Sequence, residues 1–176
     1  ASQAPEFSEP ETVPLRRLFQ ISPLAFVGMG LQGFAASMIF GMGAVFANII
    51  GMTNQQGSIF LASFTIANVV MQYPIGRMSD RFDRRLVILI VASISGLAAA
   101  IASIVGLSNY WTLLGLTAIF GGFSMTIYSL CIAHANDYLS PSQMVGTASA
   151  LITVNGIGAI FGPPIIATLV DLFGSY

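Results

Sequence analysis

Ten residues hold most of the positive charge of this chain. The stretch GRMSDRFDRR, positions 76–85, contains four of the six basic residues, all of them arginine, together with two aspartates. Gly76, Asp80 and Arg84 are spaced by four. A glycine at a helix end admits the close approach of a neighbouring backbone. An aspartate four residues on can face the N-terminus of another helix, whose partial positive charge favours a carboxylate. An arginine four beyond that can pair with an acid on a different helix. The chemistry this points to is a latch between helix ends, not bond making. No nucleophile–histidine–acid set and no cluster with metal-ligand spacing occurs, and the glycines follow no phosphate-binding pattern. An enzymatic role is therefore not expected, and neither a metal, a cofactor nor a nucleic-acid partner is called for.

The elements that must carry this stretch are apolar. Of 176 residues, 55% are hydrophobic and 7% charged, with a mean hydropathy of +0.82. A soluble domain carries about 25% charged residues, so this chain lacks a polar coat and its expected partner is the lipid bilayer. The single cysteine, Cys131, lies inside an apolar run, which rules out an internal disulfide framework and reads as a small buried hydrophobe. Residues 1–14 contain three Pro and three Glu, with no apolar period, and read as an acidic linker, not a signal peptide. The chain begins without Met, as a processed chain or a piece of a longer one would. Residues 15–22 mix Leu15, Leu18, Phe19 and Ile21 with Arg16 and Arg17, as expected of a short amphipathic helix at the membrane surface.

The remainder, 23–176, reads as a transmembrane domain. Five stretches, at about 24–50, 54–76, 86–107, 111–134 and 141–170, are each long enough to span a hydrocarbon core of about 30 Å, and none has Asp, Glu, Lys or Arg in its interior. Thr53 with Gln56, and Ser140 with Pro141 and Gln143, have the pattern of helix caps. Tyr110 and Trp111 fit an interfacial aromatic pair. All six arginines fall on one side of this topology, and the loops near 51–53 and 108–110 have none. The positive-inside rule makes the N-terminus, the 77–85 loop and the HANDYLSPSQ connection cytoplasmic. Five is an odd number of spans, and at least one more is expected beyond the C-terminus.

The stretch resembles the loop signature of the major facilitator superfamily, Gly-x-x-x-Asp-Arg-x-Gly-Arg-Arg/Lys, found between the second and third helices of a six-helix half. Gly76, Asp80, Arg81, Arg84 and Arg85 match it. Asp83 departs from it, standing where the family usually has a glycine for a tight turn. The resemblance implies that Arg84 pairs with an acid at the end of the fourth helix, the place of Asp137 in HANDY. GAIFGPP (158–164) resembles a fifth-helix motif of antiporters, but Ile166 and Ala167 replace the small pair that follows, so that activity is not carried over. Gly156, Gly158 and Gly162 are read as close-packing positions, and Pro163 and Pro164 as a bend or weakened turn. The leader, with PLRRLFQISPLAFVG and AHANDYLSPSQMVGTASALITVNGIGAIFGP, is most like the C-terminal half of the YcaD-like branch.

The resemblance implies an all-α integral membrane fold, one six-helix half built as an inverted 3+3 repeat with about five of its helices present. It implies secondary transport of a small solute by alternating access in a bacterial inner membrane, with a missing N-terminal half or another membrane subunit as partner. The third helix is then peripheral and the other four face a cavity. Gln32, Tyr128 and Asn155 are the candidate solute contacts, ahead of Asn68 and Ser124. Interhelical hydrogen bonds averaging about 0.6 kcal/mol would retain the same residues without any solute. His134, one turn from Asp137, reads as a solvated or structural histidine. The competing function is a facilitator-like scaffold or subunit of a larger membrane complex.

Overall fold

A short helix, α1 (Leu15–Ile21), leads into five long ones: α2 (Pro23–Ile49), α3 (Asn54–Ser79), α4 (Arg84–Val105), α5 (Tyr110–Asn136) and α6 (Pro141–Phe173). The computed structural model describes residues 13–105 and 108–173. Apart from Val13 and Pro14, the expected linker lies outside the described residues. All five long helices are long and apolar enough to cross a membrane. The shortest, α4, has 22 residues, or about 33 Å of rise against a core of about 30 Å.

Local chemistry sets the helix ends. Ser22 caps α2, accepting from the Ala25 amide at 3.4 Å, with Pro23 at the first helical position. Thr53 and Gln56 form a reciprocal capping box at the start of α3. Asn109 accepts from the Trp111 amide at 2.8 Å and opens α5. The turn after α2 places Gly51 at φ +76°, a conformation that favours glycine. The helix bounds lie within three residues of the sequence reading, and the end of α3 shows why they shift. α3 continues through Gly76 to Ser79, because nothing in Gly76–Ser79 breaks the backbone ladder and the Asp80 amide still donates to the Gly76 carbonyl. The connection to α4 is only Asp80–Asp83.

Packing is interlocked. α2 lies mainly against α6, α3 mainly against α5, and α5 also touches α2 and α4, so it forms the centre of the bundle. α4 packs chiefly on α5 and leaves Leu86, Leu89, Ile90, Leu97 and Ile104 exposed, a surface suited to lipid. α1 turns Leu18, fully buried, onto Ala25, Met29, Cys131, Ala135 and Leu151, while Arg16, Arg17 and Phe19 stay exposed.

Both main crossings are glycine seams. On α6, a Cβ at Gly158 would run into the Gly30 carbonyl oxygen, and one at Gly162 into the Ser37 hydroxyl. On α2, a Cβ at Gly33 would meet the Asn155 carbonyl, and one at Gly41 would lie 3.0 Å from the Pro163 ring. In the second crossing, a Cβ at Gly121 would lie 2.5 Å from the Phe64 carbonyl, and one at Gly122 would lie 2.9 Å from Met71. Close approach of this kind substitutes dispersion for the hydrophobic drive that lipid cannot supply. Gly158 and Gly162 thus lie where α6 meets α2 closely. Gly156 is exposed, with no described atom within 4 Å of where a Cβ would be. α6 runs unbroken through Pro163 and Pro164, although neither proline can donate a backbone N–H to the ladder.

Candidate functional site

The arginine-bearing end of the bundle gathers the charged residues into one cluster. Arg84 is the first residue of α4, and its Nε lies 3.1 Å from Asp137 Oδ2 at the C-terminal cap of α5. Its Nη2 also reaches Asp80 Oδ1, at the C-terminal cap of α3, at 3.5 Å. A cation at a helix N-terminus and carboxylates at helix C-termini all oppose their own helix dipoles. Their mutual pairing offsets that cost and ties three helix ends together. The pairs are partly exposed, with 25% of the Arg84 side chain, 46% of Asp137 and 71% of Asp80 open. Each is therefore worth no more than about 1 kcal/mol in stability. Such a cluster is suited to opening and closing.

Asp83 is explained by the same geometry. Its carboxylate accepts from the Arg85 amide at 2.8 Å and its carbonyl from the Val87 amide at 3.1 Å. It caps α4, where a negative charge and a side-chain acceptor both help. Among the described residues only Gly51 has a positive φ, so this turn does not require the family's usual glycine.

Arg85 turns toward α5. Its Nη2 donates to the Tyr138 hydroxyl at 2.9 Å, and its guanidinium lies 5.8 Å from that ring's centroid. Tyr138 in turn stands edge-on to His134, 5.3 Å between centroids. His134 is 3% exposed. It is a packed structural histidine and not a solvated one, because the ring tucks beneath Tyr138. Sequence reasoning missed Tyr138, although an aromatic residue directly after Asp137 was the available signal. Arg77 donates to the Tyr73 hydroxyl at 3.1 Å, and Arg81 is exposed without a side-chain partner among the described residues. At Gly76 a Cβ would meet nothing within 4 Å. The close backbone approach expected there is not made by any described residue of this chain.

Toward the middle of the bundle, two of the three expected contact residues come together. Asn155 Nδ2 donates to the Met29 carbonyl at 3.1 Å and to Gln32 Oε1 at 2.5 Å. Gln32 Nε2 in turn donates weakly to Met125 Sδ at 3.6 Å. This relay joins α6, α2 and α5. Gln32 is only 6% exposed, so in this arrangement its polar groups serve helix association. Tyr128 is set apart, half-buried against the cluster around Leu18 and Met29. Ser124 is buried with its hydroxyl unpaired among the described residues.

At the opposite end, a cavity of about 390 Å³ lies among residues such as Met38, Met42, Phe46, Ala99, Leu113 and Phe120. It holds no charged group and only Ser103 and Thr117 as polar lining. That is not the convergent polar set that fixes a solute. Among the described residues no cluster of His, Cys, Asp or Glu could hold a metal.

These features carry the comparison with known proteins. A model of the Major Facilitator Superfamily matches residues 25–176. An uncharacterized MFS-type transporter of Escherichia fergusonii, YcaD, is 25% identical over 144 residues, covering 82% of this chain and 36% of that protein. The Escherichia coli O17:K52:H18 protein of the same name is 27% identical over 146 residues, covering 83% and 37%. The chain thus spans little more than a third of the length of these curated relatives. No solved structure matches. With five apolar helices, α2 packed on α6 and α3 on α5, the Gly76–Arg85 signature closed onto Asp137 and a family match over most of its length, this integral membrane chain belongs to the major facilitator superfamily.

Proposed function

We propose that the chain is part of one half of a secondary transporter, the C-terminal half, which moves a small solute by alternating access across a bacterial inner membrane. The arginine-bearing end faces the cytoplasm, as the positive-inside rule requires. An N-terminal half, or another membrane subunit, completes the cavity, and the two halves rock about it. Gly76, Asp80, Arg81, Arg84, Arg85 and Asp137 form a cytoplasmic latch that favours the state closed on that side. α1 lies along the head groups, with Arg16 and Arg17 in reach of them.

The observation that carries this reading is Arg84. It joins α4 to α5 within the chain, while the Asp80 carboxylate it also touches is 71% exposed and free to meet a further helix. No feature of the described residues gives a scaffold role comparable support. Asp80→Asn tests the latch. The variant inserts normally but shifts the population toward the cytoplasm-open state and changes transport kinetics in membrane vesicles. Unchanged kinetics together with unchanged state populations would sink the reading.

A further inference from the structure

Three sides of α3 can be told apart by burial. Phe60, Phe64 and Ile75 are buried against the bundle. Ile59, Ile66, Val70 and Tyr73 form an exposed apolar face, 43% to 72% open. At 3.6 residues per turn, Thr65, Asn68, Gln72 and Gly76 fall between these two, in a third sector about 80° wide. That sector also holds Leu61, turned toward Gly43 of α2, and the buried Ser79, with exposed Val69 at its outer edge. Gln72 and Thr65 are exposed and Asn68 half-buried. Thr65 bonds back to the Leu61 carbonyl. The carboxamides of Asn68 and Gln72 have no hydrogen-bond partner among the described residues.

Depth makes this informative. α3 runs from Asn54 to Ser79, which puts Asn68 about 2 Å and Gln72 about 8 Å from its midpoint, both well inside a half-thickness of about 15 Å. An unpaired carboxamide facing hydrocarbon at that depth is strongly unfavourable. The neighbouring sector of the same helix shows what a lipid-facing surface looks like here, and it carries Ile and Val. The polar sector therefore faces something other than lipid: water, a solute or polar groups of a helix outside this chain. Exposed Ser149 and Thr153 on α6 are less telling, since both hydroxyls bond to their own helix.

We infer that Asn68 and Gln72 form the solute-binding wall that this chain contributes. Two neutral carboxamides one turn apart offer donors and acceptors together, and no charged side chain shares their sector within the membrane. The wall fits an uncharged hydrogen-bonding group of the solute, such as an amide or a pair of hydroxyls. This rests on the transport reading above and assigns residues within it. Neither Gln72 nor Thr65 stood out in the sequence, because helical polar residues at these positions look like ordinary packing until burial separates the faces.

The test uses cysteine accessibility in membranes of the native host. Cys131 is buried and is the only cysteine in these 176 residues, so Cys131→Ala, with replacement of any cysteine elsewhere in the full transporter, supplies the background. Asn68→Cys, Gln72→Cys, Thr153→Cys and the lipid-face controls Ile66→Cys and Val70→Cys are compared with membrane-impermeant methanethiosulfonates. These react with thiolate, which does not form in hydrocarbon, so the two wall positions should label about tenfold or more faster than the controls. Cationic trimethylammonium and anionic sulfonate reagents of similar size should react there at rates within about threefold of each other. Control-like rates at 68 and 72 overturn the wall. If Thr153→Cys still labels, a water-filled path exists and only the assignment to α3 fails. If no polar position labels, the transport reading falls with it. A reagent preference above about tenfold overturns the uncharged assignment.

Discussion

Adding one methyl group at Gly158 tests the α2–α6 seam. A Cβ there would meet the Gly30 carbonyl oxygen and lie 2.9 Å from its carbon and 3.2 Å from its Cα. These are backbone atoms of a continuous helix and cannot swing aside. Relieving the clash with the carbonyl oxygen requires the helices to part by about an ångström or more, and a gap of that order forfeits roughly half of the dispersion energy along the seam. Overpacking of this type costs about 1–3 kcal/mol. Gly156→Ala is the matched control, two residues away on the same helix with open space around it. There the change should be neutral or stabilising by up to about 1 kcal/mol, through helix propensity alone. Unfolding in mixed detergent micelles, followed by helical circular dichroism against added denaturing detergent, reads the two side by side. Gly158→Ala should be less stable than Gly156→Ala by about 1–4 kcal/mol. Equal stability, or a more stable Gly158→Ala, would refute the close crossing.

Two other substitutions follow from named contacts. Asp83→Ala should cost about 1 kcal/mol through loss of the α4 cap, and Asp83→Gly only a few tenths; equal losses in the same assay would remove the capping explanation. Asn155→Ala should cost about 0.6 kcal/mol, and at most about 1.7, by breaking its bond to Gln32. A double-mutant cycle with Gln32→Ala checks this, and strictly additive losses would show that the 2.5 Å contact contributes nothing.

Much of the architecture was legible because lipid imposes a coarse rule. Uncharged runs must be helical and must span, so five helices and their order follow from charge placement alone. The Thr53–Gln56 box was equally readable, because capping depends only on local spacing. The Arg84–Asp137 pair was not derivable from spacing and came from the family resemblance, since α4 and α5 meet there only through the tertiary fold. Burial corrected the rest. Gly156 and Gly158 are indistinguishable in sequence, yet only Gly158 touches a neighbouring backbone. Gln32 and Asn155 bond to each other, whereas Gln72 has no partner among the described residues and lies on an open face. The role of Asp83 was hidden because the family pattern directs attention to a missing glycine, while the physical gain lies in a carboxylate at a helix N-terminus.

Arg84 and Asp137 act as one unit holding helix ends together. Hydrogen–deuterium exchange on the protein in lipid nanodiscs measures it, comparing Arg84→Ala, Asp137→Ala and the double variant. Either single change should speed exchange both in the 80–85 turn and in the last turn of α5, by about fivefold for a loss of about 1 kcal/mol. The double variant should add nothing further, and exchange at Thr53–Gln56 on the opposite end should stay the same. Effects confined to each variant's own segment, or additive in the double variant, would contradict the latch.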